Sequence, residues 1–154
     1  MKLHIAIVAA GLVVANGSAY WSPTPISTLT TASSDIVIGK VISKKDDTKT
    51  HRVRIKVKVV EHLKGKDSQT ELEFDAPFSM VQDVGTTNLF PIPSSSYEIG
   101  ETCVIFLTRE KSGMRMTRDD DGKFIVENDK WRRQYSSEKS ASLKELRKAI
   151  AEAE

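Results

Sequence analysis

One stretch, Arg52-Val53-Arg54-Ile55-Lys56-Val57-Lys58-Val59-Val60, limits what this chain can fold into more than any other. Val53, Ile55, Val57 and Val59 alternate with Arg52, Arg54, Lys56 and Lys58. A period of two is the pattern of a half-buried strand with one apolar and one wet face. The inner face is entirely β-branched, which suits strand packing. The outer face carries four cations whose same-face neighbours stand about 6.5–7 Å apart. Alone, that row repels itself.

A second alternating run can neutralise it. In Glu71-Leu72-Glu73-Phe74-Asp75-Ala76 the acids form one face and Leu72, Phe74 and Ala76 the other. Opposed residues of an antiparallel pair share a face. The cations are even-numbered and the acids odd-numbered, so paired numbers must sum to an odd value, as for Lys56 with Glu73. A slip of one residue would put carboxylates among the core residues. The basic row is either a patch for an anionic partner or a solvated face balanced across the sheet. Exposed pairs of that kind contribute only about 0.2–1 kcal/mol each.

The first residues read as an export signal. Lys2 gives a positive start, Leu3 to Ala15 is mostly apolar, and Gly17-Ser18-Ala19 supplies small residues at a cleavage site. The apolar run falls short of the roughly 20 residues of a spanning helix. The division expected is a signal peptide over 1–19, an extended leader over 20–34 and one domain over 35–154, secreted or periplasmic, with no stable membrane anchor after cleavage. Without Lys2 the chain carries 22 basic and 21 acidic side chains, a net charge of +1. That balance gives no reason to expect a nucleic-acid partner. Cys103 is the one cysteine and sits in the apolar run Thr102-Cys103-Val104-Ile105-Phe106-Leu107. It cannot form an internal disulfide and reads as a buried structural thiol.

Tyr20 to Ser34 is rich in Ser, Thr and Pro without periodicity, and Tyr20-Trp21 reads as a plug over the core. Asp35 to Ile42 is the first strand, and Gly39 in its interior marks a bulge or bend. Lys44 to Lys49 reads as a polar loop. Pro77 to Gly100 is a long connection, a length that usually marks function or disorder. Ser79 to Val84 has the spacing of a short helix stopped by Gly85. Leu89, Phe90 and Ile92 follow between prolines, and either fold back on the core or form an apolar contact site. Met114 to Arg118 and Lys123 to Glu127 suggest a hairpin around Asp119-Asp120-Asp121-Gly122. Read as a calcium loop, that tetrad has its glycine in the fourth position rather than the sixth, and Lys130 where a Glu is needed. Trp131-Arg132-Arg133 and Tyr135 suggest a packed aromatic among solvated arginines. Ser142-Leu143-Lys144-Glu145 fits a capping box, and Leu143, Leu146, Ala149 and Ile150 form the stripe of an amphipathic helix.

These elements describe a mostly β protein. The order expected is a small OB-like antiparallel barrel of five to six strands, with a short helix in the long connection and an amphipathic helix at the C-terminus. The motifs of hydrolases and phosphate-binding loops are missing, and no cofactor or metal is implied. His51 and His62 stand roughly 36 Å apart along an extended chain and do not suggest a shared centre.

Three strand motifs carry a resemblance: Asp35-Ile36-Val37-Ile38-Gly39-Lys40-Val41, Val57-Lys58-Val59-Val60-Glu61-His62-Leu63-Lys64-Gly65, and Gly100-Glu101-Thr102-Cys103-Val104-Ile105-Phe106-Leu107. With the Leu-rich terminal helix they resemble a group of small secreted bacterial proteins. The barrel of that group is similar to those of the tissue inhibitors of metalloproteinases and netrin-like domains. The resemblance spans residues 35 to 150 and implies the fold. The inhibitors place an N-terminal Cys-x-Cys on a protease zinc, and Tyr20-Trp21-Ser22-Pro23 has no cysteine. Zinc-chelating inhibition therefore does not carry over. The reading reached is an exported, non-enzymatic binding domain, inhibitor-like in form, whose partner is a protein or an envelope polymer. Its candidate contacts are Leu89, Phe90 and Ile92 with Arg52, Arg54, Lys56 and Lys58. A secreted hydrolase or hydrolase accessory, and a purely structural envelope protein, are the alternatives.

Overall fold

A computed structural model describes residues 23–65, 68–82, 89–92, 97–133 and 140–154, apart from the side chains of 79–82, 89–92 and Asp120. The expected signal peptide, Tyr20, Trp21 and Tyr135 lie outside the described residues. The elements are α1 (Ile26–Ala32), β1 (Asp35–Asp47), β2 (Arg52–Lys64), β3 (Glu71–Pro77), β4 (Ser79–Gln82), β5 (Leu89–Ile92), β6 (Thr102–Glu110), β7 (Gly113–Met116), a 3-10 turn (Asp119–Gly122), β8 (Lys123–Glu127), β9 (Lys130–Arg133), β10 (Ala141–Ser142) and α2 (Leu143–Glu152).

Five strands close a barrel in the order β1-β2-β3-β7-β6, with β6 returning to β1. All pairs are antiparallel except β3 with β7, which meet in parallel at Asp75 and Arg115. This is the OB-like order that the sequence predicts. The β2–β3 register follows from charge parity: Lys56 opposes Glu73, Arg54 opposes Asp75 and Lys58 opposes Glu71. The expected irregularity at Gly39 is present as a register shift between Ile38 and Gly39. A Cβ there would press on the Val57 side chain at 3.1 Å.

Apolar side chains fill two layers. Val37, Val53, Ile55, Val57, Phe74 and Ile105 pack inside the barrel. Ile36, Ile38, Val104 and Phe106 point outward, under Leu29 of α1, Phe124 of β8 and Leu143, Leu146 and Ile150 of α2. Both faces of β1 and β6 are therefore covered, which is why these strands read as continuous apolar runs rather than alternations. The α2 capping box forms as its sequence predicts, with Ser142 and Glu145 reciprocally bonded. Cys103 is fully buried.

Several segments depart from their sequence pattern. The leader is not wholly extended: Ile26–Ala32 is helical. Two turns are too short to show a period, and the run of Thr and Ser has weak helix preference. Docking of Leu29 beneath α2, and back-bonds from Thr30, Thr31 and Ser33 hydroxyls to carbonyls four residues earlier, hold it. The long connection carries a β-hairpin where a short helix is expected: β4 pairs with β5, Ser79 opposite Ile92 and Gln82 opposite Leu89. β1 runs on to Asp47 through the stretch that reads as a polar loop, because β2 offers it a partner along its whole length.

The Asp-Gly tetrad does not join a hairpin. β7 and β8 both pair with β6, on the same side and in succession, and the chain between them loops out. Thr117 N–H donates to Phe106 O at 2.8 Å and holds the loop at its base. Gly122 lies so close to Thr117 O and Phe106 O that no Cβ fits. Arg133 is buried rather than solvated, its guanidinium 4.7 Å from the Phe124 ring centroid and donating to Thr24 O. Trp131 stacks on Phe124 at 4.7 Å, and Arg132 stays exposed beside Glu127.

Candidate functional site

Strand alternation places Arg52, Arg54, Lys56 and Lys58 on the outer face of the barrel, next to Glu71, Glu73 and Asp75 of β3. The acids are engaged by two of the four cations. Arg54 Nε lies 3.0 Å from Asp75 Oδ1 and 3.4 Å from Glu73 Oε1. Lys56 Nζ lies 2.5 Å from Glu71 Oε2. These bonds favour the charged forms: the hydrogen bond that Arg54 donates to Asp75 leads in raising Arg54 further, and the one that Lys56 donates to Glu71 leads in raising Lys56. The neutralisation expected of a solvated face is thus present, but it is incomplete. Arg52 and Lys58 make no ion pair among the described residues.

β1 adds cations that the alternation of its sequence does not reveal. Lys40 opposes Lys58 on the outer face, and Val41 opposes Val57 on the inner. A register shift between Val41 and Ser43 then inverts the parity of the strand. Beyond it Lys45 opposes Arg54 and Asp47 opposes Arg52, on the outer face. Lys44 turns to the inner side, where its Nζ reaches Tyr97 O at 3.4 Å. A bulge hidden among polar residues has no signature of its own, so even and odd positions exchange faces without warning.

The β1–β2 hairpin ends in an open groove of about 770 Å³. Lys45, Lys49, Arg52 and Arg54 line it together with Asp46, Asp47, Glu73 and Asp75. Asp47 shapes the turn by accepting from the N–H groups of Lys49 and Thr50 at 3.0 and 3.3 Å. The Thr50 side chain first, and the Lys49 amide second, hold its carboxyl below the ordinary aspartate range.

The same barrel end roots the second hairpin. Arg52 opposes Pro77, the next residue Phe78 donates its N–H to His51 O at 3.1 Å, and the two rings stand 5.8 Å apart. β4 begins one residue later and returns through β5, so Ile92 lies opposite Ser79 at the foot of the hairpin. The fold therefore brings the start of the basic strand and the hairpin bearing Leu89, Phe90 and Ile92 to one end. The side chains of those three residues lie outside the described part of the structure.

The return of the connection is anchored by a polar cluster in the core. Tyr97 is fully buried, edge-on to Phe74, and its hydroxyl reaches Met116 Sδ at 2.9 Å. Lys123 Nζ lies 4.3 Å from the Tyr97 ring centroid and 2.7 Å from Glu101 Oε2. Sequence alternation does not point to this lysine, because an isolated cation at a strand start reads as exposed. The neighbouring Cys103 thiol is pushed up to about 12, burial being the largest cause. A thiol so placed stays protonated and is no nucleophile at neutral pH.

The histidines do not converge. His51 sits in the turn before β2, with its ring on Phe78, and His62 near the strand's far end, where Nε2 meets Gln69 O at 2.9 Å. No helix among the described residues is long and apolar enough to cross a membrane. The chain matches no family model and no curated protein.

Proposed function

We propose that this chain is an exported binding domain, without catalysis of its own, that captures a protein partner at the barrel end where its two hairpins meet. The observation that carries the reading is the Phe78–His51 junction, which roots the β1–β2 turn and the β4–β5 hairpin side by side. OB barrels bind oligonucleotides and oligosaccharides with the face of the second and third strands and with the loops that join the first to the second and the fourth to the fifth. The groove at Lys45, Lys49, Arg52 and Arg54 occupies that position. Its walls carry both signs of charge, which suits the mixed surface of a folded protein. Leu89, Phe90 and Ile92 supply the apolar anchor that such an interface needs. The resemblance to netrin-like barrels fits a domain that works by capture. With Tyr20-Trp21 at the expected mature start, capture does not proceed by chelating a zinc ion.

The test uses residues 20–154 as bait in the exported fraction, with a photo-crosslinking residue in place of Thr48 of the groove in every bait. A second bait carries Leu89→Ser, Phe90→Ser and Ile92→Ser. The expected result is one adduct on the first bait that the second fails to retain. Equal retention by both baits overturns the hairpin as the contact.

A further inference from the structure

We infer that the outer face of β1 and β2 is a second binding surface, for a linear polyanion bearing phosphate, sulfate or carboxylate groups along its length. It extends the capture reading to a different ligand, shares Lys45 and Arg52 with the groove of that reading, and does not use the β4–β5 hairpin.

The argument starts from two like-charged cross-strand pairs. Lys40 stands directly opposite Lys58, and Lys45 directly opposite Arg54. Opposed residues of an antiparallel pair have Cβ atoms about 4.5–5.5 Å apart, and like charges there repel. The chain has the means to cancel such repulsion, as β3 shows. Yet Glu71 is engaged by Lys56, and Glu73 and Asp75 by Arg54. Lys40, Lys45, Arg52 and Lys58 make no ion pair among the described residues; Asp47 is the β1 carboxylate that the register places on this face, and Asp46 lines the groove at its end. A bound row of anions relieves both repulsive pairs at once.

Spacing and chemistry then define the ligand. Arg54 and Lys56 are held by acids, so the unpaired cations form two clusters, Lys40 with Lys58 and Lys45 with Arg52, whose β2 members stand about 20 Å apart. A flexible chain with anions recurring along its length reaches both clusters at once. The face has no aromatic platform, so it cannot stack bases or sugar rings. Three of the four unpaired cations are lysines, point charges that accept any anion without demanding bidentate geometry. The site reads charge density rather than sequence or ring shape.

Titration of residues 20–154 with fluorescent polyphosphate, and separately with polygalacturonate, over a series of salt concentrations tests the proposal. Two charge-matched variants are compared: Lys40→Gln/Lys45→Gln/Lys58→Gln on the face, and Lys111→Gln/Lys130→Gln/Lys144→Gln elsewhere. Expected is binding of at least one polymer, weakened tenfold or more by the face variant and less than twofold by the control. The slope of log K against log salt should fall by about 2 for the face variant, at about 0.7 per lost cation on a single-stranded chain. The better-bound polymer identifies the anionic group. The face variant should keep the wild-type urea midpoint or exceed it, because repulsion is removed. Equal loss in both variants, or no binding to either polymer at 50 mM salt, overturns the inference. The hairpin variant of the preceding section should bind polyanion normally, so failure of one site is distinguishable from failure of the other.

Discussion

Replacing Lys123 with Met tests whether the buried cation holds the barrel end together. The ammonium is 1% exposed, 2.7 Å from Glu101 Oε2, and the carboxylate side chain is 16% exposed. The cation also lies 4.3 Å from the Tyr97 ring centroid. Removing one partner of a buried pair costs about 3–5 kcal/mol, mostly for the charge left behind. Glu101 keeps some contact with water, so Lys123→Met should fall near the lower end, about 3 kcal/mol, with the lost ring contact contained in that figure. Glu101→Gln strands an ammonium with almost no exposure and should cost more than Lys123→Met. The double variant leaves no buried charge and should cost about 2 kcal/mol less than the sum of the single changes. Urea unfolding of residues 20–154 and the three variants, read by linear extrapolation at one pH, supplies the cycle. A cost below about 1 kcal/mol for Lys123→Met, or additivity within about 0.5 kcal/mol, would refute the argument. Either result would mean that Tyr97 keeps its place without the Lys123–Glu101 pair.

Gly122→Ala should destabilise by roughly 2 kcal/mol or more, because the added methyl meets two backbone carbonyls that cannot step aside; a urea midpoint unchanged from wild type would count against that close approach. Alkaline stability should depend on Cys103. Its folded value, about 12, lies above the unfolded range near 8.5–9, so the stabilisation is complete below about pH 8 and drains away as pH rises toward 12. Between pH 9 and 10.5 the wild type should lose about 2 kcal/mol more than Cys103→Ala, at up to about 1.4 kcal/mol per pH unit. Parallel urea curves for the two proteins over that interval would remove the thiol from the account.

Much of this fold is legible locally. Alternation in Arg52 to Val59 and in Glu71 to Ala76 defines two strands, and the opposite charges on them define one register, since any odd slip buries carboxylates. Ser142, Glu145 and the Leu143–Leu146–Ile150 stripe specify α2 in the same way. The site residues are less complete. Arg52, Arg54, Lys56 and Lys58 are found by periodicity, but two of them are occupied by acids, and Lys40 and Lys45 complete the face only through pairing with β2. The hairpin of β4 and β5 escapes notice because Met80, Val81 and Val84 satisfy a helical spacing as well as they fit any strand.

What the sequence determined by itself is therefore what neighbours two to four residues apart can encode: the faces of strands, the cap and stripe of a helix, and the burial of an apolar run around Cys103. Tertiary structure decided the rest. It inverted the parity of β1 at its bulge, split the partner strand of β6 around a loop at Gly122, and made a helix of Ile26–Ala32 by giving Leu29 a place to dock. It also buried Lys123 against Glu101 and Tyr97. Each of these is a contact between distant parts of the chain. Its energy depends on what the partner surface offers, and a local pattern of side chains carries no record of that surface.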